Sequence, residues 1–466
     1  MNNNFKKSFT KSLLAVSIAS ATTITQAGSF GLIENSASGQ GSAFAGASAL
    51  GEDASTVYFN PAGMTRLSGS KVAVAGHIIA PDAKFTNKGS TDALGGQLTG
   101  SNSTTDKVGF VPNLYYATEL PNDIHVGLGI NVPFGLETNY DSGWVGRYHA
   151  DKSEILSINI NPSIAWKVTD KVAVGFGISI QYLDLTLTNK LDSALVCNNL
   201  SSKLPAAAKP GEPGCGTLSP NTASLDSSTD LSGDSTEFGW NAGVLIDIND
   251  KNRVGIAYRS AIKHKVSGKA KYDLNPTLQG ETDYFKAVTG FNIVQDTALA
   301  ATAELPQTLS VSYVGDIDKQ WTVLADWTWT GWNSLDTIVI RQKGGVPGQE
   351  STLDLNYANT SRYSVGVNYH HNDKLVYRGG LAYDETPIRS ARSISARIPG
   401  NDRKWVSLGV GYAMNTSWSF DVGYSHLFIS NTRIDSNTGS SSSGATLVGE
   451  YKSSVDILSV QANFNF

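Results

Sequence analysis

Val172-Ala-Val-Gly-Phe-Gly-Ile-Ser-Ile-Gln181 decides the fold of this chain. Val172, Val174, Phe176, Ile178 and Ile180 fall on one face of an extended strand. Ala173, Gly175, Gly177, Ser179 and Gln181 fall on the other, because successive side chains of a strand point to opposite sides. One face is aliphatic and aromatic; the other is small or polar. In water the apolar face would need a second packed layer. In a closed membrane barrel it faces lipid, and the small, polar face lines the lumen.

The same pattern recurs outward in both directions. Phe110, Pro112, Leu114 and Tyr116 lead into the turn Leu120-Pro-Asn-Asp123, and Ile124, Val126, Leu128, Ile130, Val132 and Phe134 lead out of it. Near the end Trp418, Phe420, Val422 and Tyr424 alternate with Ser419, Asp421, Gly423 and Ser425. Asp and Asn tolerate left-handed backbone and bond their own main chain, so they suit tight turns. Five more such turns are Thr169-Asp-Lys171, Asn249-Asp-Lys-Asn252, Asp316-Ile-Asp-Lys319, His371-Asn-Asp-Lys374 and Met414-Asn-Thr416.

Six turns give twelve strands. Segments around Val72–Ile78 and Leu458–Phe466 raise the count to fourteen. The other ends are joined by long polar connections at 82–106, 136–152, 189–234, 269–304, 343–359, 386–402 and 432–449. Short turns at one end and long loops at the other are the asymmetry of outer-membrane barrels. The expected fold is an all-β, 14-stranded antiparallel transmembrane β-barrel. A soluble sandwich or propeller also alternates, but does not gather seven long connections at one end.

Residues 1–27 read as a cleaved signal peptide. Lys6, Lys7 and Lys11 precede an apolar run from Leu13 to Ile24, and Thr25-Gln-Ala27 fits a cleavage site. Removing those three lysines takes the formal charge from −5 to −8, which argues against nucleic acid as a partner. The chain carries 46 Gly, 9 Trp, 18 Tyr and 16 Phe, a usage that suits alternating strands in lipid. Cys197 and Cys215 are the only cysteines, and a loop disulfide is the leading reading for an exported chain. No His stands near them at ligand spacing, so no metal site is expected there.

Residues 28–70 are rich in Gly, Ala and Ser and do not alternate. They fit either a periplasmic tail or a hatch folded into the lumen of the barrel that spans 71–466. A fourteen-strand lumen would otherwise be wide enough for water.

Several stretches resemble one family in order along the chain. Leu32-Ile-Glu-Asn-Ser-Ala-Ser-Gly-Gln-Gly41, Ala54 and Asn60-Pro-Ala-Gly-Met64 look like the N-terminus of the FadL-type long-chain fatty acid transporters. So do Gly127-Leu-Gly-Ile-Asn-Val-Pro-Phe-Gly-Leu136, Trp144-Val-Gly-Arg-Tyr148, Ile160-Asn-Pro-Ser163, Thr386-Pro387 and Ile398-Pro-Gly-Asn-Asp-Arg-Lys-Trp405. The resemblance implies a fourteen-stranded barrel plugged by an N-terminal hatch. It implies passive uptake of long-chain fatty acids, or of aromatic hydrocarbons as in the related toluene and xylene channels. It also implies an outer apolar groove, an inner pocket, and a lateral exit where the third strand kinks.

The sequence supplies residues for each part. Pro133 cannot donate to a strand ladder, and Gly135 permits unusual dihedrals, so Pro133-Phe134-Gly135 can bend the third strand. Asn60, Pro61 and Ala62 are expected in the hatch beside that bend. A fatty acid carboxylate inside a barrel needs a cation. Arg389, Arg392, Arg397 and Arg403 crowd one loop, where solvated charge or contact with lipopolysaccharide is the plainer reading of each; Arg378 and Lys190 are further candidates on strands. Leu136, Trp144 and Tyr148 are candidates for the outer groove, and Trp144 and Tyr148 equally for an interfacial aromatic belt.

No nucleotide-binding loop, G-x-S-x-G or H-E-x-x-H occurs, so neither energy coupling nor hydrolysis is expected, and no cofactor. A general porin would lack residues 28–70 and would carry charged side chains across its constriction. The expected protein is a monomer in outer-membrane lipid and lipopolysaccharide.

Overall fold

The computed structural model describes residues 29–466 except 292, 344–349 and 437–443. The expected signal peptide lies outside the described residues. The strands form one closed antiparallel barrel of fourteen members. They are β1 Ser70–Asn87, β2 Gly109–Leu120, β3 Ile124–Asn131 with Gly135–Asn139, β4 Lys152–Thr169, β5 Val172–Leu191, β6 Ser227–Asn249, and β7 Asn252–Arg259 with Ile262–Asp273. Then come β8 Thr297–Leu305 with Thr308–Asp316, β9 Trp321–Thr330 with Thr337–Gln342, β10 Ser351–Asp354 with Thr360–Asn372, and β11 Leu375–Asp384. The last are β12 Arg403–Ala413, β13 Trp418–Ile429 with Thr432–Ser436, and β14 Leu447–Asn465. Each strand pairs with its sequence neighbours, and β14 closes on β1 from Lys71↔Asn465 to Asn87↔Gly449.

All six turns fall where the Asp and Asn signals put them. The strands between them run further outward than the alternation suggested. β5 continues to Leu191, and β6 begins at Ser227. Beyond the lipid there is no apolar face to keep, so pairing persists there without alternating hydropathy. The two longest outer connections carry helices, α4 Ser193–Lys203 and α5 Pro276–Thr289. They pack together over Leu200, Leu204, Leu278 and Phe285, and Cys197 is bonded to Cys215 beside them.

Alternation sorts the side chains as lipid requires. Phe176 and Ile178 are 46% and 48% exposed, whereas Ser179 and Gln181 are buried against the interior. What fills that interior is the chain from Ser29 to Gly69. It folds into α1 Ala37–Gly41, α2 Ala47–Leu50, α3 Thr56–Phe59 and a 3-10 turn Pro61–Arg66. Ser36 caps α1 through Gly39 N, and Asn60 caps the 3-10 turn through Ala62 N. These elements touch strands around the whole barrel. Ala37 N donates to Gln461 Oε1 on β14 at 2.9 Å, and Ser48 N to Ser312 Oγ on β8 at 3.0 Å. Small residues on the wall make the fit possible. A Cβ on Gly255 of β7 would lie 1.9 Å from Ser48 O, and one on Gly380 of β11 would lie 2.2 Å from Ser42 O.

Candidate functional site

The third strand of the barrel wall is interrupted, and its ladder with the second strand breaks there. β3 stops at Asn131 and restarts at Gly135. Its first part pairs with β2 only as far as Leu114↔Ile130. Its second part pairs with β4 alone, Gly135↔Leu156 to Asn139↔Lys152. Residues Gly109–Asn113 of β2 therefore have β1 on one side and no strand on the other. Pro133 explains the local break, since it has no N–H to offer.

The freed backbone is met from inside the barrel. Leu32 N donates to Pro133 O at 2.8 Å, and Gly135 N donates to Phe30 O at 2.9 Å. Gly31 and Phe134 thus form an antiparallel bridge. Ser157 of β4 holds the other side, accepting from Phe134 N at 2.8 Å and donating to Phe134 O at 2.7 Å. Below the break Asn113, Tyr115 and Asn131 bond Glu34 O or Asn35 Oδ1. The partners expected at this place were Asn60, Pro61 and Ala62, and the structure puts them elsewhere. Asn60 Nδ2 donates to Ser48 O at 2.7 Å and to Val244 O of β6 at 3.1 Å. Its geometry is that of a capping residue pinned to another strand, and Phe30–Leu32 take the role at the break.

Two cavities meet near the bridge. One, of about 150 Å³, is lined by Leu32, Phe44, Pro133, Trp332, Arg362 and Asp384 among others. The other, of about 80 Å³, lies among Leu136, Ile155, Leu183, Leu299, Leu305 and Leu355. Its lining is almost wholly apolar, and Arg397 stands at its edge with the guanidinium turned to Ser153, Thr188 and Asn189. Phe30, Phe134 and Trp332 stand between them, with ring centroids 5.2 to 6.3 Å apart.

The six basic candidates separate clearly. Arg389 and Arg392 are exposed. Arg378 is buried at the short-turn end, 2.6 Å from Asp421 and 3.6 Å from Glu52. Lys190 lies 3.9 Å from Asp151, and Arg403 lies 3.8 Å from Asp384. Arg397 differs from all of them. It is buried, and its guanidinium donates to Ser153 Oγ at 3.1 Å, Thr188 O at 3.1 Å and Asn189 Oδ1 at 3.0 Å. Among the described residues no carboxylate lies within ion-pair distance of it. Burial lowers its pKa to about 10, with Asp151 opposing the shift, so it stays charged at neutral pH.

The outer-groove residues also divide. Leu136 lines the aliphatic cavity. Trp144 and Tyr148 form neither a groove nor a belt, because both are fully buried within the loops. Trp144 stacks on Tyr140 at 3.9 Å and donates to Ala150 O at 2.7 Å. Tyr148 donates to Asp226 Oδ1 at 2.8 Å, and Arg147 pairs with Asp226 at 2.7 Å. That loop is a packed cap on the barrel mouth.

Two cations were missed from sequence. Arg362 of β10 faces inward and donates to Ala43 O at 2.8 Å. Arg259 of β7 donates to Tyr58 O at 2.9 Å and lies over the Tyr58 ring. Parity would have found Arg362, since Tyr363 and Val365 beside it face lipid.

A closed barrel with a lipid-facing apolar belt and a filled lumen is the architecture of an outer-membrane protein. The family model described as outer membrane protein transport protein (OMPP1/FadL/TodX) matches residues 18–466, and the chain belongs to that family. It is 30% identical over 424 residues to a long-chain fatty acid transport protein of Escherichia coli O6:H1, covering 91% of this chain and 92% of that one. It is 30% identical over 436 residues to outer membrane protein P1 of Haemophilus influenzae, covering 90% of each. Among solved structures it resembles a Pseudomonas aeruginosa FadL homologue, with TM-score 0.83, 24% identity, and 94% and 100% of the two chains covered. The Pseudomonas putida toluene transporter TodX follows the same fold, with TM-score 0.66, 17% identity, and 94% and 100% covered. The family carries hydrophobic solutes across the outer membrane.

Proposed function

We propose that this chain takes up long-chain fatty acids by passive diffusion, with residues 28–70 as the hatch of the 71–466 barrel. A ligand enters the aliphatic cavity with its chain against Leu183, Leu299 and Leu305 and its carboxylate on Arg397. It passes Phe30, Phe134 and Trp332 when the Gly31–Phe134 bridge opens. It leaves sideways between β2 and β3, where Gly109–Asn113 have no outer partner. Nothing in this path needs an energy source, and the protein works as a monomer.

The observation that carries the reading is an aliphatic cavity with a buried arginine at its edge, whose guanidinium is held only by neutral acceptors that a carboxylate would replace. A charge-assisted bond to a carboxylate stabilises more than a neutral one, and a bidentate pair more again. Toluene offers no such partner. Arg397→Met keeps the bulk and removes the charge. Losing a charged hydrogen bond of about 1.5–3 kcal/mol raises half-saturation for oleate roughly 10- to 150-fold, while toluene uptake stays within about twofold. An equal fall for both solutes would mean that Arg397 only props the cavity, and an aromatic hydrocarbon would then be the better substrate class.

A further inference from the structure

The outer half of β7 reads Lys263-His-Lys-Val-Ser-Gly-Lys-Ala-Lys271. His264, Val266 and Ala270 are buried toward the interior, and Lys263, Lys265, Lys269 and Lys271 are exposed on the outside. The next strand across is nearly bare. Thr302, Ala300 and Ala298 of β8 stand opposite Lys265, Ser267 and Lys269. Beyond them, Arg341 of β9 stands opposite Ala300, and Lys343 N bonds Ala298 O. Arg341 and Lys343 are both exposed. Two cationic walls therefore flank a floor of small side chains, about 10 Å apart at the usual spacing of strands.

Its height on the barrel is fixed by aromatic residues. Phe238 and Trp240 of β6 are 69% and 43% exposed to lipid. Trp240 exchanges hydrogen bonds with Ser260 at 2.9 and 3.0 Å, so the aromatic level lies just below Lys263. Such rings mark the boundary between hydrocarbon and headgroups. The lysines begin where the headgroups begin, at the end of the barrel that carries the long loops. That end faces outward, and its leaflet is built from lipopolysaccharide.

Acidic groups lie mainly outside the trough. Asp230, Asp234 and Glu237 are on β6, on the far side of β7, with Asp230 and Asp234 opposite Lys271 and Ser267 and Glu237 accepting from Lys265 N at 3.4 Å, while Asp296 accepts from Tyr272 N at the top of the floor. Glu304 stands opposite Lys263 at the lower rim, and Glu350 is 3.8 Å from Arg341. Among the described residues no carboxylate comes within ion-pair distance of the four lysines. Ammonium groups are compact point charges that suit phosphate, and anionic headgroups are drawn to such clusters.

We propose that this trough binds the phosphorylated sugars of lipopolysaccharide, fixing one lipid against β7, β8 and β9. The test uses the full chain in detergent, titrated with purified lipopolysaccharide and read by native mass spectrometry. Lys263→Gln/Lys265→Gln/Lys269→Gln/Lys271→Gln binds at least tenfold more weakly than the parent, and enzymatically dephosphorylated lipopolysaccharide binds parent and variant alike. Arg341→Gln/Lys343→Gln on the opposite wall weakens binding at least threefold, and carries the test if the fourfold variant loses the heat-modifiable gel shift of a folded barrel. Lys84→Gln/Lys452→Gln, exposed lysines elsewhere on the wall, binds like the parent. Undiminished binding by the β7 variant, an equal loss in the Lys84/Lys452 control, or equal competition from phosphatidylglycerol overturns the proposal.

Discussion

Replacing Pro133 and Gly135 together by Val closes the proposed exit. Continuing the register past Leu114↔Ile130 sets Asn113 against Asn131 and Val111 against residue 133. A repaired ladder over Gly109–Asn113 forms two or three backbone bonds, each about 1 kcal/mol net. Valine adds up to about 1 kcal/mol of strand preference over glycine. Against this the variant gives up Leu32 N to Pro133 O and Gly135 N to Phe30 O, together about 2 kcal/mol. The balance favours the paired strand by about 1–2 kcal/mol, a five- to thirtyfold shift in population. Oleate uptake by cells lacking another transporter should fall by that factor, while the barrel keeps its heat-modifiable mobility. Cysteines introduced at Asn113 and Asn131 report on the repair, since they cross-link only when the strands are paired. Efficient cross-linking in the valine variant with undiminished uptake would refute a lateral exit at this break.

Other outcomes follow from the same structure. Deleting 28–69 leaves a folded barrel that leaks small hydrophilic solutes and loses fatty acid selectivity, measurable by antibiotic sensitivity alongside oleate uptake. Burial raises the pKa of Glu34 to about 7 from 4.5, with its own backbone and Arg362 and Arg403 opposing. A carboxyl whose pKa is higher in the folded state holds more protons there. Its contribution is therefore full below about pH 4.5 and is lost as pH rises to about 7. Melting temperature should fall over that window, and Glu34→Gln should flatten the fall. Cys197→Ser/Cys215→Ser opens a bond across 18 residues. That releases roughly 3 kcal/mol of loop-closure entropy, so limited proteolysis should cut between α4 and α5 while the melting of the barrel is unchanged.

How much of this was legible in the sequence depends on what sets each feature. The turns and strands are set by local chemistry. Asn and Asp at the turns and the period-two faces around Phe176 and Tyr424 located all fourteen strands. The break at Pro133 was legible for the same reason, since a missing N–H is a property of one residue. What meets the break was not. Phe30–Leu32 reach it only because the chain folds back through the lumen, and nothing in the spacing to Asn60 distinguishes the two. The loop arginines show the same limit. Arg389, Arg392 and Arg397 look alike in sequence, and their environments differ because the loops pack on one another through Tyr140, Trp144 and Tyr451. Trp144 and Tyr148 misled for this reason, since aromatic residues outside the strands signal burial in a cap as readily as a surface groove.

The seam between first and last strands has a consequence for how the molecule is made. Ser70 and Phe466 exchange backbone hydrogen bonds at 3.0 Å, and Lys71 bonds Asn465 across 394 residues. Loop-closure entropy grows with the span to be closed, so this pairing is the costliest to begin and forms after the local hairpins. The segment that leads into Ser70 already touches strands from β2 to β14. The segment that fills the lumen and the strand that seals the wall therefore join at one residue, Ser70. A chain truncated before its last strand would present an open sheet with two unpaired edges, β1 and β13, by which an unfinished molecule is recognisable.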